Sequence, residues 1–203
     1  MKQKLPALLT LLSKLLDIDQ ELLDFHADTE EESTKNGEKV EGLLYWEEGE
    51  EHQLVFCNAR TASLLNLYWS IQTLLYSALT TLHTRLLQTN TLHLLPTHDP
   101  RTTRFLTLAP SANNTWLQSV RKILRSFEYC MKESACSATP PAGIGVALEI
   151  VIDILQQRRA AEEMLEGRSS DAESGEQGCE IELEQALAAR KEMGKKWVAI
   201  MLA

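Results

Sequence analysis

The chain has 203 residues, 44% of them hydrophobic but only 6% aromatic, with 20 Lys and Arg against 29 Asp and Glu for a formal net charge of −9. That length fits one domain with a sizeable core, and the acidic balance argues against phosphate-backbone binding as the main task. The acidity is local: residues 28–51 hold ten acidic side chains against Lys35 and Lys39, and residues 166–184 hold seven against Arg168. Both segments read as solvated linkers.

In chain order, Leu5, Leu8, Leu12, Leu15, Leu22 and Leu23 recur at helical spacing. They predict an amphipathic helix from about Leu5 to Phe25, with Pro6 in its first turn. Ser13 and Lys14 interrupt the apolar run, and acidic residues follow where a secretory leader would place small ones. The reading is a protein that is not secreted. Residues 27–39 are polar and acidic around Asn36-Gly37 and predict a mobile loop. Val40 to Trp46 and Leu54 to Cys57 are short apolar pieces, read as helical turns or as the lead-in to a long helix.

From Ala59 to Leu87, Leu64, Tyr68, Ile71, Leu75, Leu79, Leu82 and Leu86 step by three or four throughout. That is one face of the long helix, and the face is expected to be core. Polar residues such as Asn66, Gln72, Thr80 and His83 interrupt the surface, so the helix suits a protein interior and not lipid. Pro96, Pro100 and Pro110 predict a break over 92–110. A further helix is expected from Thr115 to about Lys132, capped by Asn113 or Asn114, with Trp116, Val120, Ile123, Phe127 and Met131 on one face. After Pro140-Pro141, a helix from Ala142 to Glu166 has a centre that is apolar nearly all round. An acidic Ser and Gly linker over about 167–179 leads to a last helix from Glu180 to Leu202. The expected fold is all-α: an irregular array of helices around one long central helix, forming a single domain over 1–203.

Candidate chemistry is sparse. Cys57, Cys130, Cys136 and Cys179 lack paired spacing and predict reduced thiols, not a zinc site. The stretch from His93 to Arg104 brings together His93, His98, Asp99, Arg101 and Arg104, where metal or acid–base chemistry would be sought. Its spacing does not orient the two histidines together. His83 on the long helix reads as a core histidine. Gly143 and Gly145 open a helix, but no strand precedes them as a dinucleotide fingerprint needs, so they read as aids to close packing. Arg121, Lys122 and Arg125 form a basic patch on one helix, read as a solvated face with Glu128 and Glu133 as ion-pair partners. No serine elbow is present. No catalytic, cofactor-binding or metal-binding residue is therefore assigned, and no cofactor is expected.

Three segments together resemble the C-terminal regulatory region of fungal zinc binuclear-cluster transcription factors. They are the opening leucine helix, Leu67-Tyr68-Trp69 followed by Leu74-Leu75-Tyr76, and the run from Ile123 through Ser126-Phe-Glu-Tyr-Cys130 to Met131. The third segment is followed by a Gly-containing loop, a long apolar helix, an acidic linker and a tryptophan helix. The resemblance implies a non-catalytic, all-α regulatory domain in the nucleus, or otherwise the cytoplasm, that contacts itself or other proteins. The family's six-cysteine cluster and adjoining basic segment are absent from this sequence, so DNA binding is not carried over. The family's proline-leucine step is replaced by Val146-Ala-Leu-Glu-Ile150. A helical scaffold or oligomerisation protein unrelated to transcription is the alternative reading. Neither involves a membrane.

Overall fold

A computed structural model describes residues 10–24, 45–49, 52–96, 98–137, 142–166 and 177–201. The fold is all-α with one small hairpin. Helix α1 is described over residues 10–24. Strands β1 (Tyr45–Glu48) and β2 (Gln53–Phe56) precede α2 (Ala59–Gln88), a 3-10 turn (Leu92–Leu94), α3 (Pro100–Ser137), α4 (Ala142–Glu166) and α5 (Gln177–Met201). The loop expected over 27–39 and most of the linker over 167–179 lie outside the described residues. So do the ends of the first predicted helix and the side chains of Trp197 and Met201. Gln177 to Cys179, expected in the linker, already belong to α5.

Two expectations are corrected. The pieces around Tyr45 and Leu54 are neither helical turns nor a lead-in: they pair antiparallel, Tyr45 opposite Phe56 and Glu47 opposite Leu54. Aromatic and β-branched residues on either side of a Gly-containing acidic turn are hairpin chemistry. Gly49 takes the left-handed conformation there (φ 74°) and its carbonyl accepts the His52 N–H at 3.3 Å.

The second correction concerns the prolines. The helix expected from Thr115 starts fifteen residues earlier, and at 38 residues α3 is longer than α2. Pro100 occupies the first helical position, where its missing N–H costs nothing. The Asp99 carboxylate caps it, accepting the Arg101 N–H at 2.9 Å. Pro110 lies inside α3, where it removes one backbone bond to the residue four back. Pro110 and Leu106 are both exposed, so the break in the backbone ladder lies on the solvent side of the helix. Asn113 therefore caps nothing; its side-chain oxygen accepts the Trp116 indole N–H at 3.1 Å.

Helix α2 has caps of its own. Asn58 accepts the Thr61 N–H at 2.9 Å, and at the far end Asn90 is left-handed (φ 48°). There the Thr91 and Asn90 N–H groups bond back to Leu86 and Leu87 in a Schellman arrangement.

The chain divides into two compact units, Met1–Val40 with Gln72–Gln118, and Glu41–Ile71 with Ser119–Ala203. In the first, Leu12 and Leu16 of α1, Leu75, Leu79, Leu82 and Leu86 of α2, Leu95, and Phe105, Ala109 and Ala112 of α3 form one apolar core. Tyr76 donates its hydroxyl to Asp19 at 2.7 Å, and Arg104 pairs with the other oxygen of that buried carboxylate at 2.5 Å. Arg104 also donates to Gln20 at 2.7 Å, so a polar clamp ties the three helices at the edge of the leucine core.

In the second unit, α4 and α5 pair as an antiparallel hairpin, with Glu149 bonded to Arg190 at 2.8 Å and Arg159 within 3.9 Å of Glu180. Ile144, Leu148, Val151, Ile152 and Leu155 of α4 are buried, as the all-round apolar centre predicts, whereas Val146 is exposed. A Cβ on Gly145 would meet the Met193 thioether at 3.7 Å, an ordinary contact, so the backbone does not demand glycine there.

Candidate interaction surface

The described surface is best read from α2 outward. Over 75–86 its predicted apolar face is core, but over the first half it is not. There the buried residues are Ala62, Asn66, Trp69, Ser70 and Thr73, while Leu64 and Ile71 of the predicted face are exposed. The inward side is held by specific polar bonds. Ser126 of α3 donates to the Asn66 side-chain oxygen at 2.7 Å, Asn66 donates to the Ala62 carbonyl at 2.9 Å, and Ser70 donates to the Asn66 carbonyl at 2.6 Å. Small residues let α2 and α3 approach, and a satisfied buried amide fixes their register.

Trp69 supplies the apolar weight on that side. It stands edge-on to Tyr45 at 5.7 Å and tilted against Phe56 at 6.1 Å, and Phe56 in turn meets Tyr129 at 5.1 Å. The hairpin thus packs Tyr45 and Phe56 inward and leaves Trp46 nearly half exposed, at 47%. Once this aromatic cluster and the Asn66 bonds fix the inward side of α2, Leu64, Leu67, Ile71 and Leu74 are left facing out, with relative exposures of 54%, 49%, 36% and 47%. Their steps of three, four and three put them in one row on one uninterrupted helix.

The basic triplet is engaged internally. Arg121 donates through Nε to the buried Glu182 at 2.8 Å. Lys122 lies 5.7 Å from the Trp69 ring centre and 5.9 Å from that of Tyr45. Arg125 pairs with Glu47 at 3.4 Å. The partners expected from sequence are replaced: Glu128 bonds Lys132 at 3.0 Å, and the Glu133 side chain lies outside the described residues.

The residues gathered between His93 and Arg104 separate in space by role. His93 and His98 are exposed, Asp99 caps α3, and Arg104 completes the Asp19 clamp. Asp99 and Arg101 line an open recess with Thr10, Ser13 and Lys14, and neither histidine borders it. His83 is half-buried and edge-on to Phe105 at 6.0 Å. Among the described residues no group of three or more His, Cys, Asp and Glu is placed to hold a metal, and no helix is long and apolar enough to cross a membrane. Cys57, Cys130 and Cys179 are in no disulfide among the described residues.

Sequence reading missed the outward row because a helical period identifies a stripe without saying what faces it. The signal was present: the run 64–75 carries two overlapping apolar stripes, and only one can face a single neighbour. Compared with protein-family models, curated proteins and solved structures, the chain matches none.

Proposed function

We propose that this protein is a non-catalytic helical module that acts through protein–protein contacts. The observation that carries this reading is the outward row Leu64, Leu67, Ile71 and Leu74 on α2. Four large apolar side chains in line on a capped helix form the helix face that groove-and-helix recognition uses. The polar side of the same stretch is buried and hydrogen-bonded, which leaves the apolar side as the presented one.

The resemblance to the regulatory region of fungal zinc binuclear-cluster factors supplies the biological setting: a regulatory domain, without its own DNA-binding module, that modulates transcription in the nucleus. Engagement of Arg121, Lys122 and Arg125 with internal partners supports a role that does not rest on nucleic acid. The test is a reporter assay in which the chain is fused to a heterologous DNA-binding module. Altered reporter output, lost in the Leu67→Glu, Ile71→Glu double variant, is the expected result. Unchanged output from the wild-type fusion would overturn the regulatory setting and favour the scaffold reading.

A further inference from the structure

We draw no further inference here: the strongest candidate, the open recess between α1 and the start of α3 lined by Thr10, Ser13, Lys14, Asp99 and Arg101, carries nothing, because Lys14 and Arg101 are exposed surface cations, the Asp99 carboxylate beside them opposes the anion they would hold, and nothing in the structure shows what would occupy it.

Discussion

The two halves of α2 bury opposite kinds of surface. From Leu75 to Leu86 the helix turns leucines inward, against Leu12, Leu16 and Phe105. From Ala62 to Ser70 it turns inward an amide, a serine, an alanine and one tryptophan, and leaves Leu64 and Leu67 outside. The helix is continuous and its period does not change. What differs is the partner: a leucine-lined neighbourhood in one unit, and in the other a neighbour that supplies Ser126, with a hairpin that supplies an aromatic cradle for Trp69. A helical stripe is thus a property of the sequence, but a buried face is a property of the pair.

Leu79 measures the first half most directly. It is fully buried, and Leu79→Ala is expected to cost about 3–4 kcal/mol, the transfer term plus an unfilled cavity, read by urea denaturation. Next comes the clamp beside that core. Asp19→Ala leaves the Tyr76 hydroxyl and the Arg104 guanidinium without their shared acceptor. A loss of about 2–3 kcal/mol is expected, moderated because Arg104 is itself partly solvated. In the second half the amide carries the register. Asn66→Ala should cost about 1–2 kcal/mol, since Ser126 keeps its bond to the Ile123 carbonyl. Asn66→Leu, although more apolar, should be no better, because a branched side chain does not fit the space that Asn66 fills between Ala62 and Ser126. If Asn66→Leu stabilised the protein, the contrast between the halves would collapse.

The extent of α2, the break near Pro96, the apolar centre of α4 and the all-α class were legible from periodicity and punctuation alone. Four things were not. Pro100 reads as a breaker unless Asp99 is recognised as its cap, and Pro110 reads as one unless its side of the helix is known to be wet. The hairpin needed Tyr45, Trp46 and Leu54 to Phe56 to be read as strands across an acidic turn. The outward row of α2 was only half legible: two overlapping apolar stripes can be seen over 64–75, but which of them faces out follows from where Trp69 and Asn66 go. The Asp19 clamp escaped for a related reason: its members, at 19, 76 and 104, share no local spacing.

The smallest expected effect tests the comparison most sharply. Leu67 and Leu79 are the same residue on the same helix, twelve positions apart, one 49% exposed and the other fully buried. Leu67→Ser should change stability by no more than about 0.5 kcal/mol, as ordinary surface substitutions do, read by urea denaturation. A difference of about 2 kcal/mol or more, on the scale of a buried leucine, would place Leu67 in a core and erase the contrast between the two halves of α2.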